Sequence, residues 1–191
     1  MTETHPGPPT EAALHEAALA HLARYATTQA GLVRVLDRRV DRWARAAASP
    51  DPDAVLAAKR AVRAVVARLA AAGVVNDAAF AESRARSLTR SGRSRRAVAA
   101  HLAARGVAAE TVARAVPGDA ETELAAALSF ARRRRIGPFR RMCDDEAAMA
   151  DIHRRELGVL ARAGFPQDVA SRALRMAEDE AEALVNRLRQ S

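Results

Sequence analysis

The sequence is short of the features that build sheets, disulfides and membrane spans. Aromatic residues make up only 3% of the chain, and Cys143 is the only cysteine. A single cysteine excludes an internal disulfide and favours a reducing compartment. No window approaches the roughly 18 apolar residues of a membrane span, no segment alternates like a strand, and the N-terminus lacks a signal-like apolar core. We therefore expect a cytoplasmic protein without a membrane partner.

The residues that are abundant favour helix. Nearly half of the chain (49%) is apolar, and alanine and leucine supply most of that share. Both residues rank among the best helix formers. Because alanine helices bury little area at each contact, stability has to be spread over many small contacts. The composition predicts an all-α protein.

The charge is one-sided and comes almost entirely from arginine. The net charge is +8, the pI is about 11.2, and Lys59 is the only lysine. Arginine offers a planar, permanently charged fork that suits carboxylates and phosphates. A GC-rich coding bias is the plain alternative explanation. An excess of this size nevertheless indicates an anionic partner, either nucleic acid or an acidic protein surface.

Helical spacing and end signals divide the N-terminal part of the chain into helices. Thr10 is suited to cap the first helix, and Gly73 to end the third. Apolar residues three or four apart predict the buried faces of these helices. They are Leu14, Ala18, Leu22 and Tyr25, then Leu32, Leu36 and Val40, then Val62, Val65, Val66 and Leu69.

A repeated corner divides the chain into similar units. Gly106 and Gly164 are each followed by an apolar residue, then by an acid four residues after the glycine. The glycine ends one helix and the acid lies in the first turn of the next. After a disordered tail (1–10), we predict three-helix units at 11–75, 76–116 and 119–191. The first has an insertion at about 41–55, and the third has a C-terminal helical extension. Stacked units would form an elongated, curved array.

Two arginine clusters are the candidate binding residues. The first has only Glu82 nearby, and Ser91, Gly92 and Ser94 are expected to keep its backbone approachable at a helix N-terminus. The second occupies a full helical turn, which predicts a frayed helix end or a mobile loop. A solvated basic face remains the alternative for both. The residues are Arg84, Arg86, Arg90, Arg93, Arg95, Arg96 and Arg105, then Arg132, Arg133, Arg134 and Arg135, with Arg140 and Arg141 beyond the second cluster.

The sequence offers no recognisable catalytic or metal site. Cys143 and the acids that follow it lack convergent ligand spacing, and no nucleophile is paired with a base. Phe80, Phe130 and Phe165 are expected to be core residues. We therefore expect no enzymatic activity, no cofactor and no small-molecule substrate.

The same residues resemble the RecX family of RecA recombinase regulators. The most specific stretch runs from Gly73 to Ala81 and reads Gly-Val-Val-Asn-Asp-Ala-Ala-Phe-Ala. It is followed by Arg86-Ser87, by Gly-Arg-Ser-Arg-Arg at 92–96, and by the Arg105-Gly106 corner. The resemblance covers about 14–175. The chain departs from the family at Asn76, at Ala163 and in the first unit, which reads Arg38-Arg39-Val40 in place of a corner glycine.

The resemblance implies a monomeric protein that lies in the groove of the RecA–DNA filament. It would restrain ATP hydrolysis, filament growth and strand exchange in DNA repair and the SOS response. Its partners would be the RecA filament and single-stranded DNA, bound without sequence preference, with double-stranded DNA left open. Two alternatives remain, namely a stand-alone, non-specific DNA-binding protein built from helix-turn-helix-like units and a passive scaffold.

Overall fold

A computed structural model describes residues 7–47, 51–116, 118–140 and 146–190, with side chains placed from Met149 onward in the last range. The described residues form helices and connecting turns, with no strand among them, which confirms the all-α class. The helices are α1 (Glu11–Leu22), α2 (Gln29–Ala46), α3 (Pro52–Ala71), α4 (Asp77–Arg90), α5 (Arg95–Ala104), α6 (Ala109–Ala115), α7 (Ala120–Arg134), α8 (Glu146–Arg162), α9 (Gln167–Arg175) and α10 (Glu178–Gln190), with a short 3-10 helix at Gly137–Phe139.

The contacts divide the chain into two compact units. Unit 1 is the chain up to Phe80 together with Arg105–Val107, and unit 2 is Ala81–Ala104 together with the chain from Ala108 onward. The three predicted helical repeats remain a prediction. The predicted insertion at 41–55 contains the last turns of α2 and the first turn of α3. Most of the predicted disordered tail, and Cys143 with its neighbouring acids, lie outside the described residues.

The core of unit 1 lies between α1, α2 and α3. The residues predicted from helical spacing on α2 and α3 are all buried, as are Leu14 and Ala18 on α1, while Leu22 is half-buried. Three amphipathic faces thus meet at one core. Tyr25 was wrongly placed on this face, because α1 ends before it and its side chain is 57% exposed.

Polar side chains fix where the helices of unit 1 begin. The Thr10 hydroxyl accepts from the Ala13 N–H at 3.2 Å, which confirms the predicted cap. Thr28 is buried, and its hydroxyl accepts from the Gly31 N–H (2.9 Å) while donating to the Arg105 carbonyl (2.7 Å). This hydroxyl therefore caps α2 and holds a distant corner of the chain at the same time.

The corner glycines have the backbone conformation that was predicted. Gly73, Gly106 and Gly164 have φ angles of +72°, +84° and +90°, values that residues with a Cβ rarely adopt. Val107 and Phe165, which follow two of these glycines, are buried. The repeated glycine–apolar pair therefore ends one helix and places a buried side chain directly after the glycine.

The core of unit 2 is formed by α7, α8, α9 and α10. Four alanines of α7 are buried, so neighbouring helices pack close to its backbone. Larger side chains fill the remaining space. They are Leu124, Leu128, Leu160, Phe165, Leu174, Leu184, Val185 and Leu188. Within the described ranges, no helix is both long and apolar enough to cross a bilayer.

Two glycine substitutions separate backbone strain from crowding. At Gly73, alanine would meet nothing within 4 Å and would pay only for the positive φ, about 1–2 kcal/mol. At Gly106, the new Cβ would also lie 2.4 Å from the Cβ of Ala30. We expect Gly106→Ala to lower the free energy of unfolding of unit 1 by about 1–3 kcal/mol more than Gly73→Ala, measured by urea denaturation. Equal losses would show that the Gly106 corner is not closely packed.

Candidate functional site: an arginine groove in unit 2

The first arginine cluster lies mostly on helices. Arg84, Arg86 and Arg90 belong to α4, and Arg95 and Arg96 begin α5. Arg93 lies in the turn between these two helices. Helical geometry directs these side chains to different sides. The cluster is therefore not one binding loop, and its members have to be placed one by one.

The turn between α4 and α5 is buried in unit 2, so the expectation of an approachable backbone is wrong at Gly92 and Ser94. A Cβ on Gly92 would lie 2.7 Å from the backbone nitrogen of Phe130 and 3.0 Å from the carbonyl carbon of Ser129, both on α7. The buried Ser94 hydroxyl donates to the Ala163 carbonyl at 2.7 Å. These small residues bring the turn against α7 and the corner after α8.

This close packing creates a groove that we call the arginine groove. Its volume is about 690 Å³. Arg93 lies on one side, Arg133 and Arg134 at the end of α7 on another, and Arg162 at the end of α8. Phe130 also lines it, beneath the guanidinium carbons of Arg133 and Arg134 at 6.0 and 5.6 Å from the ring centre.

Among the residues that the structure describes, no acidic one lines the arginine groove. Its remaining residues are apolar or small, namely Gly92, Ala97, Val159 and Ala163. Four guanidinium groups on one concave surface repel one another and raise the local concentration of anions. The half-buried Phe130 ring adds an apolar face that is suited to stacking under cations or planar groups. The groove is therefore suited to an extended anionic partner.

The other predicted arginines lie outside this groove. Arg84 donates to the Nε2 of His101 (3.3 Å), and the stem of Arg96 lies beside Gly164. Arg86 and Arg95 line a smaller, largely apolar hollow that also contains Glu123. Arg90 and Arg132 line a second hollow that shares Arg133 with the groove. Arg105 is exposed at a corner of unit 1.

The end of α7 is a regular helix, so the prediction of a frayed end is wrong. The helix continues to Arg134, and Arg135 closes it with a φ of 55°. Arg132 is half-buried and its Nη2 lies 3.6 Å from a Glu182 oxygen, whereas the next three arginines are exposed. Because the four arginines span a full helical turn, they do not share one face. Arg140 lies apart from them in a largely buried ion pair with Glu156.

The sequence analysis did not predict that Arg162 and Phe130 line the arginine groove. Arg162 lies two residues before the Gly164 corner, where the middle unit has Ala104 before Gly106, and it was not among the predicted binding residues. Phe130 was assigned to the core, and its ring does contact buried Phe165 at 5.8 Å between centroids. Its other contacts, to two arginines, depend on where α7 ends. No local pattern in the sequence revealed that point.

The N-terminus of α5 already has an anionic partner within the chain. The Arg95 N–H donates to both carboxylate oxygens of Glu123, at 2.9 and 3.2 Å. Glu123 therefore occupies the position that a bound phosphate was predicted to take at this helix end. Burial raises the pKa of the Glu123 carboxyl, while the hydrogen bond and the charge of Arg95 oppose that rise.

The part of the chain that the structure describes contains no cluster of three or more His, Cys, Asp or Glu side chains that could hold a metal ion. Cys143, Asp144 and Asp145 fall outside it. The arginine groove is therefore the candidate binding site within the described residues.

Comparison with known proteins gives a consistent result. Residues 76–116, which contain α4, α5 and α6, match the family described as RecX, second three-helix domain. A regulatory protein RecX from Myxococcus xanthus (strain DK1622) is 41% identical over 164 residues, which cover 84% of this chain and 83% of that protein. A regulatory protein RecX from Agrobacterium fabrum (strain C58) is 38% identical over 112 residues, 59% of this chain and 58% of that protein.

The raised pKa of Glu123 predicts a pH-dependent contribution to stability. Because the folded-state pKa lies above the unfolded-state value, this contribution is fully present below the unfolded-state pKa and is lost as the pH rises through the folded-state pKa. Glu123→Gln keeps an acceptor for the Arg95 N–H but cannot ionise. We expect the stability of the wild type relative to Glu123→Gln to fall as the pH rises above the ordinary glutamate pKa, about 4.3, and through the raised folded-state value, measured by urea denaturation.

The control is Glu82→Gln, which removes one negative charge from an exposed position of α4. If the wild type instead became more stable relative to Glu123→Gln as the pH rises, the assignment would be contradicted. That result would show that the ionised carboxylate is favoured in the folded protein.

Proposed function

Because the chain belongs to the RecX family, we propose that it regulates a RecA-type recombinase by binding the filament that the recombinase forms on DNA. The observation that carries the proposal is the arginine groove, in which Arg93, Arg133, Arg134 and Arg162 surround Phe130 and none of the described lining side chains is acidic. A filament of protein on DNA offers two anionic surfaces, the phosphates and the carboxylates of the protein. The groove is suited to contact either one.

The proposed action is binding and not catalysis. The relatives carry the name regulatory protein, and the groove contains cations and one aromatic ring in place of a nucleophile with its base. Such a surface stabilises an anion without transforming it. The chain would modulate the recombinase by favouring one state of the filament, and we propose that it mostly restrains ATP hydrolysis, filament growth and strand exchange.

We propose that any contact with DNA is non-specific. Guanidinium groups that meet phosphates do not read sequence, whereas base reading uses side chains presented together in a groove of the duplex. The four arginines come from three separate segments, the turn before α5 and the ends of α7 and α8. Arginines from three segments are suited to contact an extended anionic surface. They are not presented together from a single recognition helix. We further propose that the chain acts as a monomer in the cytoplasm.

A triple substitution in the groove tests the proposal. Arg93→Ala/Arg134→Ala/Arg162→Ala removes three of the four cations, and Arg93, Arg134 and Arg162 are all exposed, so the fold should survive. Loss of three charged contacts is expected to weaken binding to RecA filaments on single-stranded DNA by about tenfold or more. Binding is measured by fluorescence anisotropy of the labelled chain, with circular dichroism to confirm helicity.

The charge-matched control is Arg114→Ala/Arg172→Ala/Arg175→Ala, because these three arginines of unit 2 are exposed and do not line the groove. It should bind within about twofold of the wild type, since surface charges away from an interface contribute little. Equal weakening by both variants would indicate that only net charge matters. In that case a stand-alone, non-specific DNA-binding protein would be the better description.

A further inference from the structure

A second basic hollow in unit 2 differs from the arginine groove in its polar floor. It has a volume of about 450 Å³ and lies between the end of α4, the middle and end of α7, and the end of α10. The described residues that line it are four arginines and two serines, without an acid. The residues are Arg90, Ser91, Ser129, Arg132, Arg133 and Arg189.

Ser129 is the unusual member of this set. The residue is only 7% exposed, and its hydroxyl is buried without a hydrogen-bond partner among the described residues. A serine inside a helix ordinarily bonds back to a carbonyl of the preceding turn or faces solvent. Buried polar atoms are nearly always partnered, and an exception calls for an explanation. A hydroxyl in a basic hollow can donate to an anion.

Arg132 provides a second buried donor with spare capacity. Its Nη1 is buried and lacks a partner among the described residues, whereas its Nη2 lies 3.6 Å from the Glu182 carboxylate. The contact with Glu182 holds the guanidinium in place and leaves one nitrogen uncommitted. Ser129 and Arg132 lie three residues apart on α7, so they are neighbours on one helix face. Two uncommitted donors therefore occur side by side at this hollow.

The other three arginines supply exposed charge around these donors. Arg90, Arg133 and Arg189 come from α4, α7 and α10, and each is exposed. The side-chain hydroxyl of Ser91 donates to the Leu88 carbonyl at 2.7 Å, so it is already committed, and it marks the place where α4 ends. Three helices thus direct cations to the hollow. Its two buried donors both lie on α7.

We propose that this hollow binds a phosphate group, with the Ser129 hydroxyl and the Arg132 Nη1 as inner donors and Arg90, Arg133 and Arg189 as the surrounding charges. The two oxygens of a carboxylate lie in one plane, whereas the oxygens of a phosphate (four in the free ion, two charged ones in a backbone phosphodiester) are arranged tetrahedrally, which matches donors arriving from several helices. The phosphate can belong to a nucleic-acid backbone or be a free ion. The proposal rests on the geometry of unit 2 and does not depend on the recombinase.

The first test is titration of the full chain with inorganic phosphate, followed by NMR of the backbone N–H of Ser129 and the side-chain Nε–H of Arg132. Saturable shifts at these groups are expected. Arg90→Ala/Arg189→Ala should weaken phosphate binding by about tenfold or more. Arg175→Ala, an exposed arginine of unit 2 that lines neither hollow, should leave it unchanged.

Ser129→Ala separates a binding role from a structural one. If the hydroxyl serves an anion, its removal should weaken phosphate binding while leaving the thermal midpoint of the free protein unchanged or higher, because a buried, unpartnered donor has been removed. A lower midpoint together with undiminished phosphate binding would overturn the assignment of Ser129. Absence of saturable shifts at Ser129 and Arg132, or equal shifts in Arg90→Ala/Arg189→Ala, would overturn the site.

A short oligothymidylate distinguishes the two sources of phosphate. If the oligonucleotide displaces inorganic phosphate and shifts the same two groups, the ligand is a backbone phosphodiester. If phosphate shifts these groups and the oligonucleotide does not, the ligand is a free phosphate ion. Both results support a phosphate site, and they differ only in where the phosphate comes from. A failure of recombinase binding in the groove variants would leave either result standing.

Discussion

The close approach of Gly92 to the backbone of α7 is the contact on which the basic surface of unit 2 depends. Any Cβ at this position would meet the Phe130 nitrogen at 2.7 Å. The Ser94 hydroxyl, bonded to the Ala163 carbonyl, holds the same turn against the corner after α8. Because the turn lies this close, Arg93 on one side and Arg90 on the other come to line hollows with the arginines of α7. Without this contact the two arginine clusters would remain separate.

Unit 2 therefore brings like charges together, at an electrostatic cost that a partner can offset. Arg133 belongs to both hollows, so an anion in one affects the other. Elsewhere in the unit, Arg140 has Glu156 within reach, whereas Arg132 in the hollow contacts Glu182 through its Nη2 only. The linings of the groove and the hollow, as far as the described residues go, contain no acid. This difference within one unit indicates that the arginines without an acidic partner serve binding, whereas the largely buried Arg140–Glu156 pair serves the fold.

The sequence was informative where structure is local. Apolar spacing located the buried faces of α2 and α3, and the glycines at 73, 106 and 164 marked helix ends because few residues adopt a positive φ. It failed where tertiary contacts decide. Gly92 and Ser94 have the composition of an open loop, yet both are buried. The packing of α7, α8 and α10 brings Arg162 to the same groove as Arg93, and Ser129 to the same hollow as Arg90. No spacing along the sequence indicates either pairing.

ATP hydrolysis by RecA filaments preformed on single-stranded DNA tests the central claim most directly. The chain is added well below one copy per recombinase subunit, and the steady-state rate is followed. Regulation by binding the filament predicts that hydrolysis falls at these substoichiometric ratios, because one bound copy affects several subunits. If the rate changes only when the chain is abundant enough to coat the DNA, simple competition for phosphates explains the effect, and the account is contradicted.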